Sequence, residues 1–223
     1  MRPESPGEIP PTRLEARWPI MAAVVIILTI TLLRPAELRV APVWVLPAFE
    51  VVLLALLVAA HPAHPGRRAA GVRTLSLAVV AVVLADTLAA TVRLVDVLIH
   101  GGTATNSADK LLAAGALVWS GNVLAFGLLY WLLDGGGAAV RAHHPGPHPD
   151  LAFPQQLSPE IAPPGWRPQF LDYLYLSLTS SAAFSPTDVM PLVPWAKIAM
   201  AAQSLISIAV LGLVIARAVN VFT

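Results

Sequence analysis

The stretch Ser177–Pro191, SLTSSAAFSPTDVMP, decides how this chain is read. An amphipathic run precedes it and a long apolar run follows. It holds small residues, hydroxyls, one aromatic ring, one carboxylate and two prolines. Either it dips into a membrane and returns, or it is a turn between two helices. Irregular backbone at membrane depth is tolerated only where protein or water covers it. The rest of the chain must therefore say what surrounds it.

The chain has 223 residues, of which 57% are hydrophobic and only 12% charged. Soluble domains carry about 25% charged residues, so lipid is the expected solvent. A net charge of +1 excludes a nucleic-acid binder driven by counterion release, which needs a basic surface. There is no cysteine, which excludes disulfides, thiolate catalysis and zinc-thiolate or iron–sulfur sites. Met1 to Arg17 mixes arginines, glutamates and prolines, and no small-residue cleavage site follows the first apolar run. That run is expected to stay as an anchor.

Five apolar segments predict transmembrane helices: Trp18–Leu33, Val40–Ala60, Thr74–Ile99, Leu111–Leu133 and Trp195–Phe222. The first is short against the roughly 20 residues a span needs. Pro47 suits a first helical turn, so the second helix is expected to become regular there. Asp134–Arg167 holds three consecutive glycines, seven prolines and three histidines, and predicts an irregular excursion outside the bilayer. Pro168–Ala183 reads as a helix too short and too polar to cross, hence re-entrant. The expected fold class is an all-α membrane protein with five transmembrane helices plus this pore-helix-like segment. The expected organisation is a polar tail over 1–17, a four-helix region over 18–133, the proline-rich loop over 134–167, and a pore-loop-like helix, turn and final helix over 168–223. An odd number of spans puts the N-terminus on the side of the long loop. That side carries nine of the 14 Lys and Arg residues, which favours a cytoplasmic N-terminus.

Charged groups in lipid cost free energy and need a reason. Glu50 lies about 16 Å from the end of its helix, and Asp86 about 18 Å from the end of its own, at 1.5 Å per residue. With Asn122 they fall near the mid-plane of a core about 30 Å thick. Two readings stand: a proton or cation relay, or interhelical hydrogen bonding. Arg93 is expected to pair with Asp96 three residues on. His61, His64, His143, His144 and His148 sit in proline-rich loops without the i, i+4 spacing of a helical metal site, so no metal or cofactor is expected. No serine has a histidine partner at a recognisable spacing, and no phosphate loop is present. No enzyme is expected. On the last helix Gln203, Ser207, Val214 and Arg217 lie close to one face, with Gly212 as a hinge. Such a face suits a helix lining water or one packed on polar neighbours.

From Asp172 to Asn220 the chain resembles the pore module of tetrameric potassium channels. Aligned on Asp188 and Pro191, the run Ala183-Phe184-Ser185-Pro186-Thr187-Asp188 stands where that family has Thr-Val-Gly-Tyr-Gly-Asp. Both filter glycines are replaced, by Ser185 and Thr187, and Pro186 stands at the tyrosine. A potassium filter stacks its carbonyls inward as ion ligands, and Pro186 fixes φ near −65° and restrains Ser185 as well. A potassium-selective filter is not expected. The chain is also similar to a family of uncharacterised actinobacterial integral membrane proteins. That similarity rests on LPAFE at Leu46–Glu50, WSGNVLAFGLLYWLLDGGG at Trp119–Gly137, FPQ at Phe153–Gln155, GWRPQFLDYLYL at Gly165–Leu176, AFSPTDVMP at Ala183–Pro191 and ARAVN at Ala216–Asn220. These resemblances imply an ion-channel-like protein of the bacterial plasma membrane, a homo-oligomer and a tetramer if it forms a pore. Phe184, Ser185, Pro186, Thr187 and Asp188 would form a weakly cation-selective constriction, with Gln203 and Ser207 lining the passage below. The rival expectations are a proton-linked carrier centred on Glu50 and Asp86, and a non-transporting scaffold.

Overall fold

The computed structural model describes residues 18–59, 67–102, 107–143, 148–184 and 188–222. About 80% of it is helical. In chain order the α-helices are α1 (Trp18–Leu33), α2 (Val45–Ala59), α3 (Arg67–His100), α4 (Ala108–Leu133), α5 (Ala138–His143), α6 (Pro154–Leu157), α7 (Phe170–Ala183) and α8 (Pro194–Phe222). Two-residue strands, β1 (Leu151–Ala152) and β2 (Met190–Pro191), pair antiparallel.

Among the described residues three helices are long and apolar enough to cross a membrane: those over Arg73–His100, Ala108–Gly136 and Pro194–Val219. The first two apolar helices are shorter, with 16 residues in α1 and 15 in α2. They rise about 24 and 22 Å at 1.5 Å per residue. Pro47 does fall in the first turn of α2, but the helix begins two residues earlier, at Val45. The first N–H groups of a helix have no partner within it, so proline costs nothing there. The helix predicted over Thr74–Ile99 extends two turns further back, to Arg67.

The most enclosed of the three long helices is α4. It packs against α1, α3, α7 and α8. Small residues permit these approaches. A Cβ added at Gly115 would come within 2.8 Å of Val214, and one at Gly127 within 3.4 Å of the Leu174 backbone. The main core joins Ile20, Val24 and Ile27 of α1 to Val80 and Val83 of α3, Leu124 and Leu128 of α4, Leu176 of α7 and Met200 of α8. A second cluster lies at the other end, around Leu94, Leu98, Leu111, Val118 and Val210. Outward positions are apolar too: Val25, Ile26, Leu88, Val92, Leu205, Ile208 and Ile215 are all well exposed. A surface of that kind suits lipid rather than water.

The segment 134–167, expected to be irregular, carries short elements among its described residues. It contains α5, α6 and β1, and Leu151, Ala152 and Phe153 are buried. Asp134 organises it. The chain leaves α4 through Gly135, Gly136 and Gly137, with φ of 54°, 80° and 95°. L side chains rarely adopt that region and glycine does so freely. The buried Asp134 carboxylate then accepts the backbone N–H groups of Asp150 at 3.2 Å and Leu151 at 3.1 Å. Its other oxygen accepts the Tyr173 hydroxyl at 2.5 Å.

Candidate functional site

Two groups of buried polar side chains lie within the helices. The first forms where α7 meets α4 and α8. The helix α7 runs antiparallel to α4: the Phe170 ring stacks edge-on to Trp131, Leu174 lies on Gly127, and Ser177 Oγ donates to the Val123 carbonyl at 2.6 Å. Gln203 of α8 fills the space between the three helices. Its Nε2 donates to the Ser177 carbonyl at 3.0 Å, to Ser177 Oγ at 2.5 Å and to Ser181 Oγ at 2.8 Å. Its Oε1 accepts the Tyr130 hydroxyl at 2.7 Å. One helical turn further, Asn122 Nδ2 donates to Ser207 Oγ at 3.1 Å. Ser177, Ser180 and Ser181 share a face because helical neighbours lie three and four residues apart, and all three are buried.

This seam packs the short helix α7 against α4 and α8. With 14 residues, α7 rises about 21 Å, short of a hydrocarbon core about 30 Å thick. The chain enters it beside the C-terminal end of α4 and comes back to that same end. The β1–β2 pair joins the segment before α7 to the segment after it, and the Leu192 N–H donates to the Asp150 carbonyl at 2.9 Å. At its inner end α7 is capped by Phe184 in the left-handed region, φ 58°, a conformation costly for a residue with a Cβ.

The second group lies between α1, α2 and α3. Arg34, just past the end of α1, donates through Nη1 to Asp86 Oδ2 of α3 in a short ion pair. Thr31 Oγ1 donates to Glu50 Oε1 of α2 at 2.6 Å. All four residues are buried, with Arg34 3% exposed, Glu50 3% and Asp86 7%. Glu50 Oε2, Asp86 Oδ1 and Arg34 Nε remain without a hydrogen-bond partner.

The expected network of Glu50, Asp86 and Asn122 therefore does not form as one group. Glu50 and Asp86 belong to the same cluster, and Asn122 is turned away to α8. Arg34 is the residue that completes the cluster. Gln203 and Ser207 are 0% exposed and fill helix contacts, so neither lies on an outward wall of the chain. Gly212 is on the outward face of α8 with nothing near it. Phe184 and Asp188 flank the expected constriction, and both are exposed. Ser185, Pro186 and Thr187 lie outside the described residues, as do His61, His64 and His144. Arg93 does not pair with Asp96. It reaches the Glu37 carbonyl at 3.5 Å, while Asp96 pairs with His100 at 2.9 Å.

Tyr130, Ser177, Ser181 and Arg34 were not singled out from the sequence. The serine spacing was the available signal for two of them. Compared with known proteins, the chain matches no family model, no curated protein and no solved structure.

Proposed function

We propose that this chain is a multi-pass membrane protein with five crossings, in which α7 and the turn after it form a half-membrane hairpin, and that copies of it assemble a weakly selective cation passage. The observation that carries this is the hairpin. The short α7 is packed on α4 and α8 by a buried polar seam, and the β1–β2 pair joins the segments before and after it, which supports a re-entrant path. Irregular backbone at membrane depth needs such cover, and re-entrant segments of this kind serve channels as selectivity elements. The resemblance to potassium-channel pore modules adds to the reading and supplies the order of parts. Phe184 to Asp188 is the proposed constriction, with Asp188 as a carboxylate repeated around the oligomer axis. A ring of carboxylates concentrates cations through its field.

The purified protein in liposomes tests this through cation flux. Asp188→Asn keeps the shape and removes the charge, so flux is expected to fall and anion exclusion to weaken. A parent protein that passes no ion over a range of voltage and pH removes the passage reading. One observation favours the scaffold instead: beyond Lys197 the exposed positions of α8 are apolar, including Ile198, Leu205, Ile208 and Ile215. A chain that assembles but conducts nothing is then a scaffold with a pore-like hairpin.

A further inference from the structure

The cluster of Thr31, Arg34, Glu50 and Asp86 is not used by the proposed passage, and its charges do not balance. It holds two carboxyl groups and one guanidinium, all nine-tenths or more buried. Arg34 is committed to Asp86 through the short ion pair. Glu50 receives one hydrogen bond, from Thr31. A hydroxyl does not neutralise a carboxylate. An uncompensated charge in such a place is far costlier than a neutral polar group.

Among the described residues no other charged group faces Glu50. On α1 the neighbours are Thr31 and Arg34, on α3 Asp86. Arg39, on the connection to α2, is turned to the Leu32 carbonyl at 2.9 Å. On α4, which packs behind α1, the titratable groups Asp109, Lys110, Tyr130 and Asp134 stand toward the helix ends. The cluster is one positive charge short.

We infer that Glu50 is a proton-binding site, occupied at neutral pH, and that the bound proton brings the Arg34–Asp86–Glu50 cluster to neutrality. Two atoms are left over to hold and receive it. Glu50 Oε2 and Asp86 Oδ1 are both buried and both without a partner, and an ionised carboxylate can accept hydrogen bonds but not donate them. One proton on Glu50 Oε2 turns that oxygen into a donor, in a cluster where Asp86 Oδ1 is an acceptor without a partner. Arg34 cannot supply the proton, because guanidinium does not deprotonate in proteins. Ordinary pairing explains Arg34 and Asp86 but leaves Glu50 charged and unmatched. This inference does not rest on the passage reading, and its failure would leave that reading untouched.

Infrared spectroscopy of the intact protein in lipid vesicles at neutral pH tests it without any substitution. A protonated-carboxyl stretching band is expected, and it should shift when the side-chain carboxyls of glutamate carry carbon-13 and stay when those of aspartate do. Among the described residues Glu50 is the buried glutamate, while Glu37 is half-buried and Glu160 exposed. Glu50→Gln should remove the band completely. Asp86→Asn should remove it too, because Glu50 then ionises to serve Arg34. Absence of the band in the parent overturns the inference. So does a band that follows the aspartate label, survives Glu50→Gln or persists in Asp86→Asn. A band seen only when sodium is left out would make the occupant a metal cation and equally overturn it.

Discussion

Asp134 and Asp86 are both buried carboxylates, yet they differ in what their removal leaves behind. Asp134 accepts two backbone N–H groups and a tyrosine hydroxyl, and Arg141 lies over the Tyr173 ring at 5.0 Å. Asp134→Ala leaves those donors unpaired and should cost about 3 kcal/mol, whereas Tyr173→Phe removes one bond and should cost about 1 kcal/mol. Thermal unfolding in detergent reads both. Asp86→Leu breaks the buried ion pair and leaves Arg34 only the Glu50 carboxyl, which it does not hydrogen-bond in the parent, and should cost about 1.5–3 kcal/mol. An Asp86→Leu protein that melts with the parent would show that Arg34 reaches water or pairs with Glu50. These differences were only partly legible in the sequence. Distance from a helix end led to the expectation of one depth for Glu50, Asp86 and Asn122. Depth does not say which way a side chain points around its helix. Asn122 faces Ser207 of α8 and not the helices of Glu50 and Asp86. Arg34 sits at a helix end in sequence, but its side chain is long enough to reach back into the bundle.

The element that depends most on its neighbours is α7. Its exposed Leu171, Tyr175 and Leu178 face outward, and its serines face Gln203. Gln203→Leu should cost about 2 kcal/mol, since the Tyr130 hydroxyl and the serine hydroxyls lose their shared partner. Gly127→Leu should cost about as much by wedging α7 away from α4, where a Cβ alone already touches Leu174. Re-entry has its own test. Single cysteines at Glu160 and Met190, on either side of α7, should label from the same face of a vesicle. Labelling from opposite faces would make α7 a crossing. The helix was legible because Pro168–Ala183 reads as a helical run too short and too polar to cross a membrane. The short elements of 134–167 were not. Helices of four to six residues carry no period of their own and exist here because Asp134, distant in sequence, captures the N–H groups of Asp150 and Leu151.

At the scale of the whole molecule, the long helices announce themselves by composition, whereas α1 and α2 do not settle their own status by length. Their connection does offer evidence: the Glu37 carboxyl lies against Gly102 just past the end of α3, and Leu38 is fully buried by that end of the bundle. Five crossings therefore predict that a cysteine replacing the exposed Trp44 labels from the same face as one replacing His100, and from the face opposite Glu160. Labelling of Trp44→Cys together with Glu160→Cys would reduce the crossings to three. The seam around Gln203 also fixes an order of events during synthesis. Its hydroxyl-lined face on α7 is made after α4 but before α8, so Ser177, Ser180 and Ser181 leave the ribosome ahead of the amide that covers them. Until Pro194 to Ser207 follows, α7 has no finished seat, although β2, the other half of its clasp, is made before Pro194. A cysteine at Ser180 should thus react with a water-soluble thiol reagent in chains halted before Pro194, and become shielded once α8 is complete. Equal shielding in both would mean that α4 alone can harbour the hairpin.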